Sequence, residues 1–453
     1  MTAPYIILIV VAGVAMLLLM VLKFKLNAFI ALLITSIFVG IMAGMPLSKI
    51  SASIQEGMGG TLGFIAVVVG LGAIFGQMLE SSGGAKSLAH YLLKKFGKNK
   101  ASWALMLTGF IVGIPIFLDV GFIILIPIVY ALTRDTKRSI LYYAIPLLAG
   151  LAVTHTMVPP TPGPMAVSNI LGVDMGWVVM YGIIVGLPTA VIAGPLFGKF
   201  ISSRIFISAP PELLQKDAAD EETEKKLPSF WVIAIIILIP LLLILISTFV
   251  NVAIEKEVIS KSLSTEIIVF IGHPFTALII ATLLSILLCL KRKMSGQQIL
   301  DLSTKSLGPA GIIILVTGAG GVLKQILIDS GIGKILAESI AGSSIPLIFL
   351  AWSLSALVRV TQGSATVAMI TAAGIMAPIL PVFNLSHQAT ALIVVSIAAG
   401  ATILSHVNDS GFWIVSKYLG MNEKQTLQSW TIMETIIAVS GLILTMLLSL
   451  IVK

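Results

Sequence analysis

Apolar runs of about 18 residues or more follow one another along the chain, the length a helix needs to cross a bilayer core of about 30 Å. The first is PYIILIVVAGVAMLLLMVL, starting at Pro4. Strands of a membrane barrel would alternate polar and apolar residues, so this pattern predicts an all-α polytopic membrane protein. Only 11% of the residues are charged, against about a quarter in a soluble domain, which leaves too little polar surface for a chain dissolved in water. The first run has no basic stretch ahead of it and no evident cleavage site after it, and reads as a span rather than a removed signal peptide. Cys289 is the only cysteine, which excludes an internal disulfide and a cysteine-cluster metal site. The net charge of +8 sits in short loops between spans, where it orients the protein rather than attracting nucleic acid.

One polar, mixed-charge stretch, SAPPELLQKDAADEETEKKLPS from Ser208, interrupts the apolar pattern and reads as a cytoplasmic linker over 208–228 between halves 1–207 and 229–453. The halves match each other. VGLGAIFGQMLESSGGAKSLA, from Val69, lies over TGAGGVLKQILIDSGIGKILA, from Thr317, at a constant offset of 248. Similar offsets pair Phe29 with Phe275, Pro127 with Pro378, His155 with His406 and Trp177 with Trp430. A nearly constant offset across both halves points to a duplication. Placing Lys23, Lys25, the lysines from Lys86 to Lys100, Arg134, Lys137, Arg138 and Lys291 to Lys293 in the cytoplasm sends the helix around Gly70 inward and the one around Gly318 outward. The repeats are then inverted, a pattern of secondary transporters whose substrate sits between broken helices near the midplane.

The expected order is spans over 1–60, a helix, a cytoplasmic re-entrant hairpin at 101–133, a broken helix at 140–164 and a span at 175–200. The second half repeats this with a re-entrant hairpin at 345–381, a broken helix at 387–411 and a span at 429–452. Each half then holds about five full spans plus the hairpin, some 12 hydrophobic segments in all.

Four stretches place polar or helix-breaking residues where apolar ones are expected: GIPIFLDVG from Gly113, THTMVPPTPGP from Thr154, RVTQGSATVA from Arg359 and SHVNDSGFW from Ser405. A broken backbone survives in a membrane only where protein, water or ligand satisfies it. Arg359 costs several kcal/mol in lipid unless paired. It is the receiver of a substrate carboxylate, for which its fork is suited, or it snorkels to an interface, or it is a structural partner of Asp119 or Asp409. Gln362, Gly363, Ser364 and Thr366 either contact a ligand or permit close packing. Asp119, between FL and VGFIILIPIV, is the first candidate to carry a coupling proton, and Asp409, with Asn408 and Ser410, the second; either can instead cap a helix. His155 and His406, equivalent in the repeats, suit a proton relay, a substrate contact or packing. Glu434, in TIMETIIAV, is placed near enough to a helix start to reach water, in a structural role.

GIPIFLDVGFIILIPI, HTMVPPTPGP, VRVTQGSATVA and SHVNDSGFW, in this order and spacing, resemble the gluconate permease (GntP-type) family within the ion transporter superfamily, over nearly the whole chain. The resemblance implies a proton symporter of the bacterial cytoplasmic membrane for gluconate or a related small carboxylate such as D-serine or glycerate. It carries over onto Asp119, His155 and the proline-rich break, Arg359, Gln362 to Thr366, Asn408, Asp409 and Ser410. Several gluconate members read PPHPGP where this chain has PPTPGP, so Thr161 stands at a position that tunes preference among hydroxy acids. The superfamily further implies an elevator-type mechanism and a homodimer in the lipid bilayer, with no cofactor and no bound metal. No HExxH, GxSxG or phosphate-binding loop supports an enzyme or an ATP-driven pump; SGGAKS at Ser82 lacks the Gly-Lys pair. A passive channel and a sodium-coupled carrier are the remaining alternatives.

Overall fold

The structure is a computed structural model describing residues 3–208, 227–342 and 345–452. Most of the linker expected at 208–228, from 209 to 226, lies outside the described residues, as do the chain ends 1, 2 and 453. The first half contains α1 (Ala3–Leu22), α2 (Ala28–Met42), α3 (Leu47–Ser81), α4 (Gly84–Phe96), α5 (Ala101–Val112), α6 (Leu118–Thr136), α7 (Leu141–Met157), α8 (Pro162–Leu171) and α9 (Met175–Val191), which continues through a π turn, Ile192–Leu196, into α10 (Phe197–Arg204). The second contains α11 (Phe230–Glu255), α12 (Leu263–Gly272), α13 (Pro274–Lys291), α14 (Gly296–Asp329), α15 (Ile332–Ala341), α16 (Leu347–Gln362), α17 (Ala365–Met376), α18 (His387–Gly400), α19 (Ser410–Leu419) and α20 (Glu423–Thr426), which passes through the π turn Leu427–Thr431 into α21 (Ile432–Ser449).

Among the described residues seven helices, taken through their kinks, are long and apolar enough to cross a membrane: α3, α7–α8, α9–α10, α11, α13, α14 and α20–α21. About ten full spans and two hairpins are expected; these seven reach that length on their own, and the remaining apolar helices are shorter. Helices of 10–17 residues, α5, α12, α16, α17 and α18 among them, reach only about 15–25 Å at 1.5 Å per residue and need a partner to complete a path.

Local sequence explains where the helices stop. Gly83 and Gly331, which coincide in the sequence repeat, both adopt left-handed backbone (φ 80° and 75°) and turn the long helices α3 and α14 into the short α4 and α15. At the proline-rich break, Pro162 opens α8, where its fixed φ suits the first turn and its missing N–H is no loss. The second break uses a different device: Asp409 accepts the Gly411 N–H at 3.0 Å and caps α19.

α3 and α14 pack closely and run antiparallel. Gly57 of α3 sits where a Cβ would come within 2.6 Å of the Gly321 carbonyl, while Gly70, further along α3, faces Leu307, earlier in α14. Against this pair stands a second group built from both halves. α5 lies along α7, with Gly109 against Leu147 and Gly150 against Met106; α16 lies along α18 in the same way, with Gly400 against Trp352. The return arm of each hairpin packs on the short helix beyond the other half's break: α6 on α19, through Tyr130 Oη donating to the Tyr418 carbonyl at 2.6 Å, and α17 on α8, through Met369 against Gly163. This cross-packing brings the two hairpin tips and the two breaks into one region.

Candidate substrate site

Arg359 lies one turn before the end of α16 and is only 4% exposed. Its own hairpin offers no carboxylate, and the structure supplies one from the second break: Nη2 meets Asp409 Oδ2 at 2.5 Å. Nη1 donates to the Gly363 carbonyl, closing the tip onto the guanidinium, and Nε has no partner. Asp409 also accepts from Ser405 Oγ at 2.5 Å, and Ser405 Oγ in turn accepts from Trp430 Nε1 at 2.7 Å. The cap and the charge partner considered for Asp409 are thus the same carboxylate, tied to the π turn ahead of α21.

The tip of the second hairpin docks onto the second break. Gly363 is left-handed (φ 82°), and a Cβ there would fall 2.3 Å from the Asn408 carbonyl. Carbonyls orphaned at the end of α16 are satisfied across this contact. Asn408 Nδ2 donates to Val360 O at 3.0 Å and Thr361 O at 3.2 Å, and His406 Nε2 stands 2.9 Å from Val360 O. Ser364 Oγ caps α17 by accepting the Val367 N–H at 3.4 Å. His406, Asn408 and Ser364 therefore hold backbone. Among the described residues, no side-chain hydrogen bond is made by Gln362 or Thr366, both half-buried, or by Ser410, which is exposed.

On the first half, His155 ends α7 with its ring edge-on to Phe117 at 5.9 Å and its buried Nδ1 unpartnered. Thr161 is 4% exposed; its Oγ1 donates to the Val158 carbonyl at 2.7 Å, freed by the break, while the residue helps line a cleft with Gly72, Pro115, Phe117 and Pro160. The cleft has room for about one water molecule. Two expectations about carboxylates change. Asp119 is exposed rather than enclosed, because its apolar sequence neighbours point to other faces of α6. Glu434, expected to reach water, is 3% exposed with Oε1 unpartnered, since α21 continues a helix that begins well before it at Glu423. The signal for it was present: an ionisable side chain inside a span marks function by default.

A family model described as GntP family permease matches residues 5–451. The chain belongs to the GntP permease family. Its relatives include a gluconate permease of Pseudomonas aeruginosa, 42% identical over 96% of this chain and 95% of its own, and a low-affinity gluconate transporter of Escherichia coli, 39% identical over 99% of each. Among solved structures, the YdaH transporter of Alcanivorax borkumensis aligns with a TM-score of 0.64 at 11% identity, over 93% of this chain and 98% of that one, a likeness of fold. This GntP permease is a multi-pass membrane transporter and not an enzyme. The region around Arg359 thus holds a buried cation, its carboxylate partner and the docked tip of the second hairpin.

Proposed function

We propose that the protein imports gluconate or a related small hydroxy-carboxylate together with a proton. The names of its relatives support the substrate class. The single observation that carries the reading to this chain is Arg359, buried in a membrane protein with Nε unpartnered among the described residues. A carboxylate is the ligand whose geometry and charge suit that donor, and Gln362, Thr366 and Ser410 offer groups for the hydroxyls of a polyol chain. Asp409 is paired with Arg359, and His155, Glu434 and the exposed Asp119 are further titratable side chains on the apolar helices, which favours a proton over sodium as the coupling ion.

Alternating access follows if the halves are inverted repeats. Support comes from α3 and α14, which match in sequence and pack antiparallel, so that equivalent helices point in opposite directions. The hairpins and broken helices then form a transport domain that moves against a scaffold containing α3 and α14, in a homodimer. Exchanging the conformations of the halves exchanges the open side.

The test is uptake of labelled gluconate into proteoliposomes, with gluconate, glycerate, D-serine and lactate as competitors and an imposed pH gradient in sodium-free buffer. Gluconate is expected to compete best, and the gradient to drive accumulation. Absence of competition by all four removes the substrate class, and uptake that requires sodium removes the proton.

A further inference from the structure

We infer that Glu434 carries the coupling proton by competing with the substrate for Arg359, an assignment that rests on the reading of the protein as a carboxylate symporter. Three observations support it. Glu434 is 3% exposed and its Oε1 has no partner among the described residues, in a chain where most buried polar groups are bonded. It stands about one turn beyond Trp430, whose indole is joined through Ser405 to Asp409 and so to Arg359. A π turn, Leu427–Thr431, immediately precedes its helix, the kind of local irregularity that concentrates at functional sites.

The charged and titratable surroundings are few. α16 brings Arg359, the second break brings Asp409 and His406, α7 brings His155 with Tyr142 and Tyr143 at its other end, α9 brings Tyr181, and α18 carries only His387 at its opposite end. Trp352 Nε1 of α16 donates to the Ala438 carbonyl at 3.0 Å and Thr402 Oγ1 to the Glu434 carbonyl at 3.3 Å, which sets the first turns of α21 beside the helix that carries Arg359. Arg359 has two of its nitrogens engaged and Nε open. Ionised Glu434 is drawn to that cation and occupies the open edge. A proton taken up from water on a Glu434 oxygen cancels the attraction and leaves the edge to a substrate carboxylate. One proton and one carboxylate thus enter together, and the net charge of the site is the same empty and loaded. Both forms can then move through lipid without burying an extra charge, whereas a carboxylate bound without its proton adds one. On the cytoplasmic side the substrate leaves, the proton passes from Glu434 to water, and the carboxylate returns to Arg359.

Glu434→Gln keeps the shape and removes the titration. Purified in proteoliposomes, the variant is expected to lose accumulation of labelled gluconate driven by a pH gradient by at least about tenfold, while counterflow of gluconate against gluconate continues. Its gluconate affinity should no longer weaken as pH rises, whereas that of the unaltered protein does. Glu434→Asp, which restores a carboxyl, should regain gradient-driven accumulation in part. Undiminished accumulation by Glu434→Gln overturns the inference, and so does a Glu434→Gln protein that is monodisperse yet loses counterflow and is not rescued by Glu434→Asp. An unaltered protein that shows no gradient-driven uptake sinks the symport reading itself, separately from Glu434.

Discussion

Arg359 divides its donors between a backbone carbonyl, a carboxylate and an open position. Lysine cannot do this: its ammonium is a point charge on a flexible stem, without the planar fork that reaches several acceptors at fixed angles. Arg359→Lys is therefore expected to keep the charge, and with it the folded protein, but to raise the half-saturating gluconate concentration by about tenfold or more, equivalent to about 1.4 kcal/mol. Concentration-dependent uptake measures this, and an unchanged value removes the carboxylate role. The arginine was legible in the sequence because a cation in a membrane segment is costly wherever it sits. The sequence leaves its partner open between Asp119 and Asp409, since choosing requires knowing how the second hairpin docks, a contact spanning 50 residues. Glu434 is buried although its sequence neighbourhood places it near water, and Asp119 is exposed between apolar neighbours, because flanking hydrophobicity reports the composition of a helix and not which of its faces is covered.

At the scale of elements, the breaks and hairpins were readable from proline, glycine and polar residues within apolar runs, since each of those residue types disrupts a helix by a nameable cause. What was not readable is how closely the pieces approach. Gly76 of α3 lies where a Cβ would fall 2.2 Å from the Pro115 carbonyl at the first hairpin's tip, so no side chain fits there without moving backbone. Gly63, on the same helix, has nothing within 4 Å of that position. Gly76→Ala is expected to destabilise the protein by about 1–3 kcal/mol through overpacking, or to displace the tip and slow transport. Gly63→Ala should do neither. Thermal unfolding in detergent together with initial uptake rates distinguishes the pair, and equal behaviour of the two variants contradicts the contact. The prolines act in a complementary way. They open α8 without leaving donors to satisfy, and Thr161 takes up the carbonyl of Val158, so the first break is held by its own residues while the second is held by Asp409 and by the tip it receives.

For the molecule as a whole, orientation is the property on which the proposed mechanism depends, and charge supplies the argument. The last turn of α6 and the loop after it carry Arg134, Lys137 and Arg138, whereas the segment joining α17 to α18, from 377 to 386, carries no basic residue. Basic loops stay in the cytoplasm. The inverted reading therefore places the base of the first hairpin inside and that of the second outside, although the two occupy corresponding places in their halves. Arg138 and Asn384 are both exposed at these bases, and Cys289, the sole native cysteine, is buried against the Met78 carbonyl at 3.3 Å. In a Cys289→Ser background, Arg138→Cys is expected to react with a membrane-impermeant maleimide only in inside-out vesicles and Asn384→Cys only in right-side-out ones. Labelling of both from one side would mean that the halves share an orientation. The antiparallel contact of α3 with α14 would then be ordinary helix packing, and alternating access by exchange of the repeats would have no structural basis.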